Sequence, residues 1–307
     1  MTVESRQSAG VVAASAAMVG WAASGVIAKG IDLGSLAVVF WRMWIYAIVI
    51  VGFTYAIGRP LSKRALRIAL PGGIALSADI MLFFTSVKLT TVANATVIGA
   101  MQPVLMLALA HRLFGERPTR RDWGLAIVGI SGVVIVMFGS AGVPEWSAVG
   151  DFLALLTLFA WTAYFIFSKL TRTRIDALEY TAATAVTAAV VTTPFALVSG
   201  QLAETPDAAS WLWLVILALG PGFASHLLMN WSLGYIPAWL GSTLSLGIPV
   251  TSTVLAWMFL DETVVAIQFL GMTVVMVALG AIVVGQARPR LPASRPVSEP
   301  PTVPGTS

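Results

Sequence analysis

Residues 83–116 read FFTSVKLTTVANATVIGAMQPVLMLALAHRLFGE, and residues 229–262, 146 positions later, read MNWSLGYIPAWLGSTLSLGIPVTSTVLAWMFLDE and align with them without a gap. The superposition pairs Ser86 with Ser232, Pro103 with Pro249, Val104 with Val250, Leu109 with Leu255, Ala110 with Ala256 and Glu116 with Glu262. Each copy is the end of one apolar helix, a tight turn, a second helix with a mid-span proline, and an acidic exit. A shorter register at an offset of 140 places Trp21, Ala23 and Lys29 on Trp161, Ala163 and Lys169. The chain is an internal duplication divided near residues 140–147.

The composition says where such a chain resides. Hydrophobic residues make up 58% and charged residues 10% of 307 positions, and the mean hydropathy is +0.88, far from soluble averages. An integral membrane protein follows, with the lipid bilayer as its surroundings. The formal charge of +4 matters through the loops that carry it, and no nucleic-acid partner is implied. With no cysteine, disulfides, thiolate metal sites and thiol catalysis are excluded. Glu4 beside Arg6 makes a poor signal-peptide start, so the first apolar run is expected to remain as a span.

A bilayer core of ~30 Å needs ~20 apolar residues of helix. Ten segments meet that length, near 9–29, 34–57, 66–87, 91–113, 121–140, 148–170, 177–199, 211–231, 237–259 and 265–285. The fold class is an all-α integral membrane protein, ten transmembrane helices in two inverted five-helix repeats. Residues 1–8 form an amino-terminal tail, 9–140 the first repeat, 148–285 the second, and 286–307 a proline-rich tail unable to bury a core. The short connections at Lys88 to Thr90 and Leu233 to Ile236 predict hairpins of helices 3–4 and 8–9.

Lys and Arg fall on alternate loops. One set holds Arg6; Arg59, Lys63, Arg64 and Arg67; Arg112, Arg117, Arg120 and Arg121; Lys169, Arg172 and Arg174; and Arg288, Arg290 and Arg295, against Lys29 and Lys88 on the other. Positive loops stay cytoplasmic, so both termini are expected on the cytoplasmic side of the cell membrane. Because five is odd, the second repeat enters from the opposite face. Inverted repeats meeting at the midplane are a recurrent transporter design, since related halves can exchange roles between outward-open and inward-open states.

The run Arg112-Leu-Phe-Gly-Glu-Arg-Pro-Thr119, the segment Trp21-Ala-Ala-Ser-Gly-Val-Ile-Ala-Lys29, Phe40-Trp-Arg42, and Pro103 with Gly115-Glu116 together carry a likeness. Over roughly residues 10–285 the chain resembles the EamA-type family of the drug/metabolite transporter superfamily. That resemblance implies movement of small metabolites by alternating access through a central cavity, without ATP hydrolysis. The second copy departs from the pattern with Asp261-Glu262-Thr263, and span 7 has no counterpart to Arg42.

Several residues could line such a cavity. Arg42 and Asp79 each lie about eight residues inside the outer ends of spans 2 and 3, hence ~12 Å deep at ~1.5 Å per residue. A charge there costs ~2.5–3.5 kcal/mol on insertion scales and turns toward a partner or a wet cavity. The pair fits a substrate-carboxylate or proton-coupling site, and equally a structural ion pair. His226 and Asn230, at i and i+4, share a face of span 8 that is expected to look inward; a proton-coupling histidine and a packing histidine both fit. Trp21, Trp161 and Tyr164 form an aromatic set for ligand stacking or for helix packing, with Phe83 and Gln102 as further lining residues. Pro103 and Pro249 each free a carbonyl and are candidate hinges. Glycines at 124–132 and 271–285 suit close helix contact.

No phosphate loop, zinc-helix motif, nucleophile elbow or carboxylate-histidine cluster occurs, so no catalytic residue, metal or cofactor is expected. A secondary transporter of a small organic metabolite or drug-like compound, and an exporter, is the expectation. An integral membrane enzyme and a channel or membrane partner are the alternatives, and a homo-oligomer is left open.

Overall fold

The computed structural model describes residues 3–28, 30–90, 92–140, 147–260 and 263–287. Lys29, Asp261, Glu262 and the tail from residue 288 onward lie outside the described residues, as do the side chains of Lys88 and Asn94. Among the described residues ten helical stretches are long and apolar enough to cross a bilayer. They comprise span 1, α1 (Val3–Ala28); span 2, α2 (Ser35–Ala56); span 3, α3 (Lys63–Leu89); span 4, α4 (Val92–Gly99) with α5 (Gln102–Phe114); and span 5, α6 (Arg120–Ser140). The second copy gives span 6, α7 (Ala148–Thr171); span 7, α8 (Ala177–Val198); span 8, α9 (Ala208–Leu217) and α10 (Ser225–Ser232) joined by a π-helical stretch, Ala218–Ala224; span 9, α11 (Ala238–Leu244) with α12 (Gly247–Leu260); and span 10, α13 (Ala266–Ala287). The fold is all-helical, in two inverted five-helix repeats. Span 1 begins at Val3, so residues 3–8 extend its helix; no proline or glycine precedes Gly10 to stop it.

Polar caps close many helix ends. Ser62 accepts from the Ala65 N–H, and Ser147 from that of Gly150. Asp176 and Glu179 form a reciprocal capping box at the start of span 7. Thr119 and Asp122 do the same for span 5, and at the equivalent point of span 10 the Gln268 side chain accepts from the Val265 N–H.

The expected hairpins of helices 3–4 and 8–9 require correction. Span 3 packs chiefly on spans 6 and 7 of the other repeat and only marginally on span 4. Its inverted counterpart, span 8, packs on spans 1 and 2; span 4 packs chiefly on span 6 and span 9 on span 1, the two meeting through α5 and α11, and spans 5 and 10 pair across the pseudo-twofold axis. A short turn makes two helices antiparallel, but their contact is decided by which faces are small enough to approach. Span 7 is lined with buried Ala182, Ala183, Ala185, Ala188 and Ala189, and meets Gly72 and Gly73 of span 3, where a Cβ would collide with Tyr180 and Thr187. One hydrophobic cluster therefore runs through both repeats, from Met43 and Leu76 to Phe165, Met229 and Trp239.

At spans 5 and 10 the backbones touch. A Cβ on Gly132 would stand 2.9 Å from the Gly271 carbonyl oxygen, and one on Gly271 would stand 2.7 Å from that of Gly132. The two glycine runs thus serve close helix contact.

Candidate functional site

The duplicated tryptophans, Trp21 and Trp161, meet edge to face with ring centroids 4.9 Å apart. Being equivalent by the repeat register, they mark a meeting of the two copies. His226 of span 8 lies beside both, at 5.1 and 6.2 Å, and beside Tyr164 at 5.5 Å and Tyr46 at 6.1 Å. Four aromatic rings from spans 1, 2 and 6 thus surround one imidazole. Within span 6, Trp161 stacks on Tyr164 one turn away and meets Phe165 edge to face.

Beneath the rings runs a polar network centred on Asn230, which is fully buried. Its amide nitrogen donates to the Tyr164 hydroxyl and to Thr181 Oγ1, both at 2.9 Å, and its Oδ1 accepts from Ser168 Oγ at 2.7 Å. Both amide protons and the carbonyl are thereby satisfied, which ties spans 6, 7 and 8 together. The Tyr164 hydroxyl also stands 3.1 Å from His226 Nδ1 and 3.2 Å from Asn230 Oδ1; with a single proton, it can donate to only one of them. Tyr180 donates to the Tyr164 carbonyl at 3.3 Å.

Arg42 and Asp79 approach this cluster from spans 2 and 3. Arg42 is buried and interacts electrostatically with Asp79, Tyr46 and His226. The two side chains form no ion pair within 4.0 Å, so of the two readings of the pair the structural ion pair is not made. Span 3 runs two residues beyond its expected end, to Leu89, which leaves Asp79 ten residues inside while Arg42 lies seven inside Ser35.

Three donors around the cluster are buried with no hydrogen-bond partner: Trp21 Nε1, Arg42 Nε and the Tyr46 hydroxyl. Each such group costs ~1–3 kcal/mol in a folded protein. Gln102 is also fully buried; Ser245 Oγ donates to its Oε1 at 3.3 Å, while its Nε2 has no partner. Gln102 thus joins the breaks of spans 4 and 9 rather than the aromatic cluster. Pro103 and Pro249 are buried beside those breaks, near the start of the second half-helix in each span, where the missing N–H removes no interior bond. The mid-span kinks are therefore short interruptions of the helix, bridged by turn bonds at Met101 and Val104 in span 4 and at Leu246 and Ile248 in span 9. Phe83 stands apart, 38% exposed, with its ring against Phe84.

Of the residues singled out in the sequence, Trp21, Trp161, Tyr164, His226 and Asn230 come together, and Arg42 and Asp79 border them. Tyr46, Ser168, Thr181 and Tyr180 were missed. Tyr46 lies one turn from Arg42 and Ser168 one turn from Tyr164, so helical spacing from residues already chosen would have found both. The π-helical stretch was missed too. It contains Gly220, Pro221 and Gly222, and Ser225 Oγ donates to the Gly220 carbonyl at 3.3 Å. A Cβ at Gly222 would lie 3.8 Å from the Tyr46 ring, so the widened turn lies against the site.

The Arg-rich ends of the spans are tied separately. Both Glu116 carboxylate oxygens accept from the Ala238 N–H, at 2.9 and 3.0 Å, and Lys169 Nζ lies 3.4 Å from Glu116 while donating to the Ile236 carbonyl at 2.6 Å. Ser232 donates to the Gly10 carbonyl at 2.7 Å. Arg59 pairs with Asp176 between the loops after spans 2 and 6. Burial would raise the Asp176 carboxyl, but the Glu179 N–H and the Arg59 guanidinium outweigh it and hold that carboxyl below its ordinary value. A cavity of ≈ 320 Å³ opens at this end, between Glu116, Trp239 and Gln286, away from the aromatic cluster. Among the described residues no group of three or more His, Asp or Glu side chains could hold a metal ion.

Ten apolar spans in two inverted copies that interlock around a buried polar and aromatic cluster define a transporter-like membrane fold. The model of the EamA-like transporter family matches residues 8–138 and again residues 148–284, and the chain belongs to that family, part of the drug/metabolite transporter superfamily. Members of the family are transporters, not enzymes. A search of curated proteins finds no match. Among solved structures 29 chains match; one crystal structure superposes with a TM-score of 0.77 at 19% identity, over 88% of this chain and 96% of that chain, a likeness of fold.

Proposed function

We propose that the protein is a secondary transporter, an exporter, that moves a small, unphosphorylated organic compound across the cell membrane by alternating access, with both termini cytoplasmic. The observation that carries this is the meeting of the repeat-related Trp21 and Trp161 over His226, where inverted copies converge on one buried polar site. Arg42 is a single buried cation beside it, so a doubly charged phosphate lacks the second fixed cation it needs. The aromatic walls suit an apolar body carrying one ionised group. The interruptions at Pro103 and Pro249 supply hinges, and the contacts of Glu116 with Lys169 and Ala238 tie spans 4, 6 and 9 together at the cytoplasmic end.

Counterflow in proteoliposomes tests the reading: amino acids, amines or aromatic compounds are carried while sugar phosphates and nucleotide sugars stay at background. Saturable exchange of a sugar phosphate that survives Arg42→Ala overturns it. Orientation is tested by single cysteines in this cysteine-free chain. A membrane-impermeant maleimide labels Ser147→Cys in intact cells and spares Ser62→Cys; reversed labelling inverts the topology.

A further inference from the structure

The three unpartnered groups named above share a chemistry. Trp21 Nε1 and Arg42 Nε are donors only, and the Tyr46 hydroxyl can donate. Arg42 and Tyr46 are 5% and 0% exposed and lie one turn apart on one face of span 2. Trp21 and Tyr46 both have their rings against His226, and Arg42 interacts electrostatically with the same histidine. Arg42 is not consumed by Asp79, since no ion pair within 4.0 Å joins them. Nearby acceptors are already engaged: Asn230 Oδ1 takes the Ser168 proton, and Thr181 Oγ1 takes one from Asn230. The complement of several unmet donors and one guanidinium is a ligand group with two acceptor oxygens and a single negative charge.

We propose that Arg42, Tyr46 and Trp21 form the subsite for the carboxylate of a monocarboxylate substrate, whose apolar body lies along Trp161. The proposal rests on the transporter reading for its biology but not for its binding chemistry. A simple carboxylic acid and a zwitterion both offer this group. The zwitterion places its ammonium toward Asp79; the simple acid leaves Asp79 to the protein.

The test uses the full-length purified protein and four matched probes: 3-phenylpropionate, 3-phenylpropanamide, 3-phenylpropylamine and phenylalanine. Thermal stabilisation reads binding, and counterflow in proteoliposomes reads transport. 3-Phenylpropionate, phenylalanine or both raise the melting temperature, while the amide and the amine do not. Stabilisation by both acids means Asp79 tolerates an unpaired neighbour, and stabilisation by phenylalanine alone means it requires the ammonium. The hydroxyl of Tyr46 has no partner to lose, so Tyr46→Phe leaves the unliganded melting temperature unchanged or higher. The same substitution weakens carboxylate binding about tenfold, the loss of one charge-assisted hydrogen bond. Equal stabilisation by amide or amine overturns the proposal, as does carboxylate affinity unchanged in Tyr46→Phe, or no binding by either acid. Carboxylate binding without counterflow keeps the subsite and removes the transporter reading; counterflow of other compounds without carboxylate binding does the reverse.

Discussion

Spans 4 and 9 are interrupted at the same place, whereas their neighbours, spans 3 and 8, have diverged. The break after Gly99 and that after Leu244 coincide to within a residue once the 146-residue register is applied, and each is followed by a buried proline. Span 3, in contrast, is one helix carrying Asp79, while span 8 widens through Ala218–Ala224 and carries His226 and Asn230. Asp79 aligns with Ser225, and Asn230 with Phe84. The duplication has thus kept a backbone device that needs one proline and a little space. It has not kept the side chains that would contact a solute. A carboxyl group borders the cluster from one copy and a histidine–asparagine pair from the other, so the site is asymmetric inside a symmetric frame.

The largest expected effect breaks the chemical half of that contrast. Asn230→Ala leaves Ser168 and Thr181 without their partner and should cost about 2 kcal/mol, given ~0.6 per interhelical hydrogen bond on average and up to ~1.7. Phe84→Leu at the equivalent site should cost under ~1.5 kcal/mol. Reversible unfolding in mixed micelles measures both, and equal losses would mean that Asn230 is mere filling.

The mechanical half is tested by Pro103→Ala and Pro249→Ala. Each is expected to slow transport roughly tenfold, about 1.4 kcal/mol on the limiting barrier, with little change in stability. Matching the two defects sharpens the comparison. A defect confined to one proline would show that the duplicated break no longer does duplicated work.

A smaller effect is expected from Arg42 and Asp79. Because they are coupled without a direct ion pair, a double-mutant cycle with Arg42→Ala and Asp79→Ala should return roughly 0.5–1 kcal/mol rather than the ~3 kcal/mol at the top of the range for contacting pairs. Strict additivity would remove Asp79 from the site.

Smallest is the exposed pair Arg59 and Asp176, which has no duplicate. Arg59→Ala should leave the melting temperature at neutral pH almost unchanged, as is usual for a screened surface pair. The Asp176 carboxyl titrates lower when folded than when unfolded, so its stabilisation is present above the unfolded value and is lost as pH falls through the folded one. A stability difference between wild type and Arg59→Ala that grows on acidification would contradict that sign.

The ten spans were legible because twenty apolar residues in a row admit few structures in a bilayer, and the inversion followed from an odd number of spans. Packing was not legible: spans 3 and 4 are joined by a tight turn yet choose partners elsewhere, since helix contact depends on small faces at long range, such as Gly72 and Gly73 of span 3 against span 7. In the site, spacing placed His226 and Asn230 on one inward face. It could not say that Asn230 would be fully occupied by Tyr164, Thr181 and Ser168. Phe83 shares a helical face with Asp79 but stands exposed beside Phe84, because spacing gives the side of a helix and not how far its neighbours extend.

The contact between Gly132 and Gly271 sets a condition on any change of shape. With each backbone where the other's first side-chain carbon would be, spans 5 and 10 have no side chain between them at this crossing to act as a lubricant. Sliding one along the other would drive the flanking Val136 and Val275 into the opposite ridge. Rolling about the crossing keeps the contact of Gly132 with Gly271 and shear breaks it, so the crossing has the geometry of an axle between the two copies.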